Sequence, residues 1–127
     1  ELIKINGYRR RHQANPLKLD LNLCRHAQEW ANHLASIGYL SHRQGNRYGE
    51  NLFWSTPLQS AADAWYSEVE RANYGNYMGV GHFTQLVWKN SQRIGFGISR
   101  SNSGYYVVAD FDPPGNVMGY YANNVSL

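Results

Sequence analysis

Apolar side chains recur at steps of three and four residues in four stretches of the chain, a spacing that predicts amphipathic helices. The clearest stretch runs from Asp20, a favourable N-cap, to Gly38, a residue type that often ends helices. Another helix is predicted over residues 1–13, a third begins at the capping Ser60, and a fourth covers residues 81–88. The positions predicted to face the core are Leu2, Ile5, Tyr8, Leu23, Ala27, Trp30, Ala31, Leu34, Ala61, Trp65, Val69, Ala72, Phe83, Leu86 and Val87.

Two apolar segments near the C-terminus, RIGFGIS and GYYVVADF, flank turn residues at 101–104, a pattern typical of a β-hairpin. A shorter strand is predicted over residues 50–54. Residues 39–48 and 73–81 are rich in glycine and polar side chains and are predicted to be loops. The predicted helices come first, the hairpin comes late, and strands do not alternate regularly with helices. This order predicts an α+β fold. In this fold, an antiparallel sheet is covered by helices in a single domain spanning residues 1–127.

The composition is that of a globular protein with a mild basic excess. Hydrophobic residues make up 43% of the chain and charged residues 17%, with a formal net charge of +3 and a pI near 9.1. This excess favours anionic partners such as acidic lipid headgroups or sulfated sugars, and it is too small to predict nucleic-acid binding. The only tight basic cluster, Arg9 to Arg11, is interpreted as a solvated helix face.

Cys24 is the only cysteine, so the chain forms no internal disulfide. Its helical spacing predicts a buried, unreactive thiol, and a lone cysteine favours a reducing compartment over a secreted disulfide scaffold. No apolar run approaches the roughly 18 residues of a membrane span. Because the chain begins at Glu1, a preceding signal or lipid anchor stays open, and in a secreted protein Asn124-Val125-Ser126 would be a glycosylation sequon.

Two histidines and two glutamates stand at the ends of predicted elements or beside their core faces: His42, Glu50, Glu68 and His82. Two imidazoles with two carboxylates suit zinc, the carboxylates holding water or orienting the rings. The same set suits general acid-base chemistry. Spacing alone does not bring the four together, because the chain has neither HExxH nor a cysteine-based zinc pattern.

Each of these residues also has an ordinary structural interpretation. His82 could bond to backbone at the start of its helix, and Glu68 could pair with Arg71 or Arg47 at the surface. Motifs of other chemistries are absent, since the chain has no GxSxG elbow, no P-loop and no complete dinucleotide fingerprint.

Three motifs resemble those of one family. GHFTQLVW at residues 81–88, followed by Asn90-Ser91, resembles the first signature of the CAP superfamily of cysteine-rich secretory, antigen 5 and pathogenesis-related 1 proteins. The sequence GENL from Gly49 resembles the family's GEN element, and residues 6–9 resemble its HNxxR element with Ile5 in place of the histidine. Residues 109–116 keep the frame of the second signature without its cysteine, which points to the disulfide-poor, Golgi-associated plant pathogenesis-related branch.

The resemblance implies a three-layer α-β-α sandwich with a central cavity in which His42, Glu50, Glu68 and His82 bind a divalent metal, with zinc as the expected ion. It implies a protein that binds lipid, an anionic membrane or sulfated glycans, is intracellular at Golgi-like membranes and shares the family's tendency to form homodimers. The residues themselves favour a non-enzymatic protein, because no serine or cysteine nucleophile has a base assigned by motif. The alternative is a secreted, metal-dependent hydrolase that uses the same four residues.

Residues 74–80 are an apolar loop that carries Tyr74, Tyr77, Met78 and Val80. Such a loop either packs into the core, which is the interpretation we favour, or is offered to a ligand. In the second case its composition makes it the candidate lipid-contacting segment.

Overall fold

The computed structural model describes all residues, 1–127. The elements follow in the order α1 (Leu2–Arg11), β1 (Lys18–Leu19), α2 (Leu21–Ile37), β2 (Gly49–Ser55), α3 (Ala61–Tyr66), a 3₁₀ helix (Ser67–Arg71), α4 (Gly81–Leu86), β3 (Arg93–Ser101), β4 (Gly104–Asp112) and α5 (Tyr121–Asn124). Helix α2 has the predicted boundaries, since Asp20 accepts a hydrogen bond from the backbone N–H of Leu23 and Gly38 ends it in the left-handed conformation.

One four-stranded sheet has the order β1-β3-β4-β2, so β2 is an edge strand. Strands β3 and β4 form the predicted antiparallel hairpin, and β2 pairs antiparallel with β4. Strand β1 pairs parallel with β3 through Lys18 and Leu19, and it was not predicted because two residues carry no alternating pattern.

Helices cover both faces of the sheet. On one face, Ala27, Ala31 and Leu34 of α2 pack against Leu52, Tyr106 and Val108 of the strands. On the other face, α1, α3 and α4 pack over the intervening strand positions, and the buried residues there include Ile5, Trp65, Phe83, Leu86, Val107, Ala109 and Phe111. Successive side chains of β4 point to opposite faces of the sheet and so divide the core into two layers. With helices on both faces, the structure confirms the predicted α+β fold with three α-β-α layers.

Helix α2 lies unusually close to β3 because two strand positions lack side chains. A Cβ atom built on Gly95 would meet the backbone carbon of Leu23 at 2.2 Å, and one built on Gly97 would meet that of Ala27 at 2.5 Å. The glycines of RIGFGIS are therefore required by helix packing.

The interpretation of Arg9 as part of a solvated helix face is wrong. Its side chain is completely buried, whereas Arg10 and Arg11 are exposed as expected. The guanidinium donates to backbone carbonyls of Asn15, Leu86, Trp88 and Ser91. Burial lowers the pKa of Arg9 to about 10. Arg9 thus fastens α1 to the segment that links α4 with β3.

Two further expectations differ from the structure. The third helix does not continue to Ala72, because α3 ends at Tyr66 and a 3₁₀ helix follows, which leaves Val69 and Ala72 half-buried. Cys24 is half-buried, and its Sγ accepts a hydrogen bond from the backbone N–H of Phe96 at 3.4 Å.

The apolar loop at residues 74–80 is divided between core and solvent. Val80 is buried, and the Tyr77 ring stacks on Tyr121 with centroids 5.1 Å apart. Tyr74 and Met78 are 68% and 90% exposed. None of the helices combines the length and the apolar character needed to cross a membrane.

Candidate functional site

A polar cavity of about 310 Å³ lies beside the edge strand β2. It contains all four candidate residues: His42 from the loop before β2, Glu50 from β2, Glu68 from the 3₁₀ helix and His82 from the first turn of α4. The remaining lining residues are Asn51, Gly79, Gly81 and Asn116.

His42 is held by Glu50. The ring Nδ1 lies 2.6 Å from Glu50 Oε1, and the backbone N–H of Arg43 donates to the same oxygen at 3.1 Å. The Glu50 side chain is 6% exposed, whereas that of His42 is 71% exposed. A nearly buried carboxylate therefore anchors a ring that solvent can reach.

His82 is held in the same way by Glu68. The ring Nδ1 lies 2.7 Å from Glu68 Oε2, and Glu68 Oε1 accepts the backbone N–H of Phe83 at 3.0 Å. Glu68 thus satisfies an N–H in the first turn of α4 as well as the ring, which is the reason for a carboxylate beside an apolar face. The His82 ring also lies nearly parallel to Trp65, at 21° and 6.4 Å between centroids.

Both imidazoles are therefore fixed in the same tautomer. An ionised carboxylate only accepts hydrogen bonds, so the proton of each neutral ring resides on Nδ1. Neither Nε2 of His42 nor Nε2 of His82 has a hydrogen-bond partner in the protein. Each Nε2 keeps a free lone pair, the form in which histidine binds a metal or accepts a proton.

In each pair, the hydrogen bond between the ring and the carboxylate favours the charged form of the residue whose pKa is shifted. The hydrogen bond to Glu50 raises the pKa of His42, against the lowering effect of burial. For Glu68, burial favours a higher pKa, but the hydrogen bonds from His82 and from the Phe83 N–H outweigh it, and the pKa is lowered. Glu68 is therefore an ionised acceptor at neutral pH.

The donor set fits a metal only as an open site. No group of three or more His, Cys, Asp or Glu side chains is placed to hold a metal ion. Because both carboxylates already orient the rings, the available ligands are the two Nε2 atoms. Such a pair would leave further coordination positions to water or a ligand, unlike the closed tetrahedral sites of structural zinc.

Gln85, the other polar side chain of GHFTQLVW, has a structural role. Its Oε1 accepts the backbone N–H of Gly115 at 2.8 Å, and its Nε2 donates to Ser91 Oγ at 3.1 Å. A Cβ atom on Gly49 would lie 2.0 Å from Gln85 Oε1. The glycine that opens GENL thus leaves room for a buried amide that joins α4 to the segment after β4.

Sequence reasoning missed several residues around the cavity. Asn51 donates from Nδ2 to the carbonyl of His82 at 3.1 Å, and Asn116 donates to the carbonyl of Gly81 at 2.9 Å. Asn51 lies within GENL, so the motif provided a signal for it. The amide of Asn46, which contacts Glu50, had no such signal because its loop shows no periodicity.

The chain matches the model of the cysteine-rich secretory protein family, CAP, over residues 2–111. It belongs to the CAP family. The resemblance inferred from the motifs is therefore confirmed, and the missing cysteine of the second signature is a feature of this particular CAP domain.

Relatives of this CAP domain include the Golgi-associated plant pathogenesis-related protein 1 of Homo sapiens. It is 42% identical over 132 aligned positions, which cover 94% of this chain and 86% of the human one. Secreted protein RBT4 of Candida albicans is 37% identical, with 94% of this chain and 38% of RBT4 aligned. The crystal structure of NaASP2 with Zn2+ has a TM-score of 0.79 at 24% identity, covering 93% of this chain and 80% of NaASP2. The chain thus spans most of the human protein but well under half of RBT4.

Proposed function

We propose that this CAP domain is a non-enzymatic binding protein that associates with anionic lipid surfaces. We further propose that it holds a divalent cation, with zinc as the first candidate. One observation carries the proposal: two histidines in one cavity have Nδ1 held by a carboxylate and Nε2 left without a partner. Histidines that bind metal characteristically donate their other ring N–H to a carboxylate.

Zinc is the metal we propose because its usual protein ligands include imidazole nitrogen, and because outside structural sites it keeps a coordination position for water or a bound ligand. His42 and His82 would be the ligands, with Glu50 and Glu68 in support. The ion would supply a positive charge and open coordination positions at the cavity. A solved CAP-fold structure, NaASP2, was determined with Zn2+.

The lipid part of the proposal is supported by exposed apolar side chains on two loops. Residues 74–80 expose Tyr74 and Met78, and residues 117–120 expose further apolar positions. The Tyr77 ring of the first loop stacks on Tyr121, the first residue of α5, which directly follows the second loop. Neither loop contains Asp or Glu, so this loop face, formed by Tyr74, Met78, Val117, Met118 and Tyr120, can approach an anionic surface without charge repulsion.

The loop face borders the cavity, because Gly79 of the first loop and Asn116, which directly precedes the second, line the cavity. A membrane bound there would lie close to the proposed metal. Lipid, an anionic membrane and sulfated glycans share the anionic chemistry that the net charge of +3 favours, and we place lipid first because the exposed side chains are apolar. Homodimer formation is a further part of the proposal.

We propose an intracellular location as a peripheral membrane protein at Golgi-like membranes, on the strength of the Golgi-associated human relative. A secreted protein is the alternative, and RBT4 is a relative of that kind. The rival function is metal-dependent hydrolysis by the same four residues. The cavity lining offers no hydroxyl, thiol or amine nucleophile, so a hydrolase would have to activate water.

Co-sedimentation with phosphatidylserine vesicles, with and without zinc chloride, tests the proposal. The native protein is expected to sediment more strongly with zinc, and the His42→Ala/His82→Ala variant is expected not to respond. Met78→Asp/Met118→Asp should lose vesicle binding, whereas Ile3→Asp should keep it, because Ile3 is 89% exposed but lies on α1. Absence of vesicle binding by the native protein, together with peptide or ester hydrolysis that Glu68→Ala abolishes, would establish the rival.

A further inference from the structure

A third histidine–carboxylate pair lies next to His42 and Glu50, outside the cavity lining. His26 on α2 donates from Nδ1 to Asp110 on β4 at 2.7 Å, and the Asp110 side chain is 1% exposed. Glu50 and Asp110 are direct partners in the β2–β4 register, so both carboxylates project from the same face of the sheet. Two nearly buried carboxylates at opposed positions repel each other unless donors lie between them.

Asn46 supplies the donor between the two carboxylates. Its Nδ2 lies 3.1 Å from Glu50 Oε2 and 3.4 Å from Asp110 Oδ1. Its Oδ1 accepts the backbone N–H of Tyr48 at 3.1 Å, which fixes the orientation of the amide. The flipped amide would place an oxygen against two acceptors and lose the Tyr48 bond, so the nitrogen must face the carboxylates.

We infer that Asn46 is a positioning residue of the candidate metal site, anchored by His26 and Asp110, which holds Glu50 in the rotamer that orients His42. The hydrogen bonds run in one series from His26 through Asp110, Asn46 and Glu50 to His42. This inference rests on the proposed function, because the site that Asn46 positions is the proposed metal site.

Removal of Asn46 would leave one carboxylate oxygen without a protein donor. Glu50 Oε1 accepts from His42 and from the backbone of Arg43, whereas Oε2 accepts only from Asn46. That oxygen would then face the Asp110 carboxylate without a donor between them. Repulsion between the two carboxylates would turn the Glu50 side chain away from its present rotamer. Glu68 has no corresponding amide, since its donors are His82 and the Phe83 N–H, so the second pair provides an internal reference.

The test uses Asn46→Ala with Gln44→Ala as the matched control, because Gln44 lies in the same loop, is exposed and makes no side-chain hydrogen bond. The first readout is the tautomer of each histidine in zinc-free protein, from long-range ¹H–¹⁵N NMR spectra. In Asn46→Ala, His42 is expected to become a mixture of Nδ1–H and Nε2–H forms while His82 stays in the Nδ1–H form. The second readout, titration with zinc chloride, is expected to show about 10- to 100-fold weaker binding.

A second pair of variants tests the series from its far end. His26→Leu removes the donor to Asp110, whereas His26→Gln keeps an N–H donor in a side chain of similar size. The leucine variant is expected to shift the His42 tautomer and to weaken zinc binding, as Asn46→Ala does. The glutamine variant is expected to keep the native tautomer and the native zinc affinity. If circular dichroism shows that Asn46→Ala does not fold, this pair decides the matter.

A folded Asn46→Ala that keeps His42 in the Nδ1–H tautomer overturns the inference, whatever its zinc affinity. Equal tautomer shifts at His42 and His82 also overturn it, since they would indicate general disturbance of the cavity. If the native protein binds no zinc, the proposed metal function fails, and the tautomer measurement still decides the role of Asn46 because it needs no metal.

Discussion

Glu68 fixes His82 twice, because one carboxylate oxygen accepts the ring Nδ1–H at 2.7 Å and the other accepts the N–H of the next residue, Phe83, at 3.0 Å. The same side chain therefore determines the tautomer of the ring and satisfies the helix turn that carries it. A substitution at this position should affect stability and ligand binding together.

Glu68→Ala is expected to lower the free energy of unfolding by about 1–2 kcal/mol, because an N–H of the first turn of α4 loses its acceptor. It should also weaken zinc binding about 10- to 100-fold, because His82 loses its fixed tautomer. Urea unfolding and titration with zinc chloride measure the two effects. Glu70→Ala is the control, since Glu70 is exposed two residues away and makes no hydrogen bond from its side chain. A native-like Glu68→Ala in both assays would contradict this role.

Charge and composition do not separate Arg9 from its two arginine neighbours. All three follow each other on one helix, and only the packing of α1 against the α4–β3 segment determines which is buried. The HNxxR resemblance singles out this arginine, but it carries no information about burial. The cost of burying the guanidinium is offset by hydrogen bonds to four backbone carbonyls, three of which lie more than 70 residues from Arg9 in the sequence. Spacing rules do not detect such partners.

Arg9→Met is expected to destabilise the protein by about 3 kcal/mol although methionine fills much of the same volume. The buried carbonyls of Leu86, Trp88 and Ser91 would lose a charged donor and gain no replacement. Arg10→Met should stay within about 0.5 kcal/mol of the native protein, because Arg10 is exposed. Guanidinium unfolding of both variants measures the difference, and equal stabilities would show that the Arg9 hydrogen bonds add nothing.

For the candidate site, positions at element ends or beside core faces made His42, Glu50, Glu68 and His82 candidates, and the motif resemblance predicted that they share one cavity. Asn46, in contrast, could not be predicted, for a physical reason. Asn46 meets Glu50 and Asp110 only because β2 and β4 pair in one particular register, and register depends on the whole sheet.

The pKa of His42 in zinc-free protein is expected to lie above its ordinary value of about 6.5, because Glu50 accepts the Nδ1–H bond. The folded protein then binds this proton more tightly than the unfolded chain. The stabilisation is complete below the ordinary pKa and is lost as pH rises through the raised, folded-state pKa. NMR titration of His42 in the native protein and in Glu50→Gln measures the shift, and the variant should titrate at lower pH.

The same pair predicts a pH-dependent stability difference. Glu50→Gln should lose more stability relative to the native protein at about pH 6 than at about pH 9, since the proton-linked part is present only at the lower pH. Glu70→Gln serves as control, because it removes one carboxylate that does not contact His42. A difference that grows toward the higher pH has the wrong sign and would reject the assignment.

The closeness of α2 to β3 provides a prediction about the fold itself. In Gly97→Ala the new methyl group would meet backbone atoms of Ala27 and Gln28 at 2.5 Å, and neither can move without shifting the helix. We expect a loss of about 1–3 kcal/mol, typical of overpacking in a tight interior. Gly7→Ala should have the opposite sign and add up to about 1 kcal/mol, because a methyl group on Gly7 in α1 would have no other atom within 4 Å and alanine favours helices. Thermal unfolding of the two variants decides the point: if both alanines stabilise, α2 can move away from β3 at little cost, and the glycines of RIGFGIS are not required by the packing.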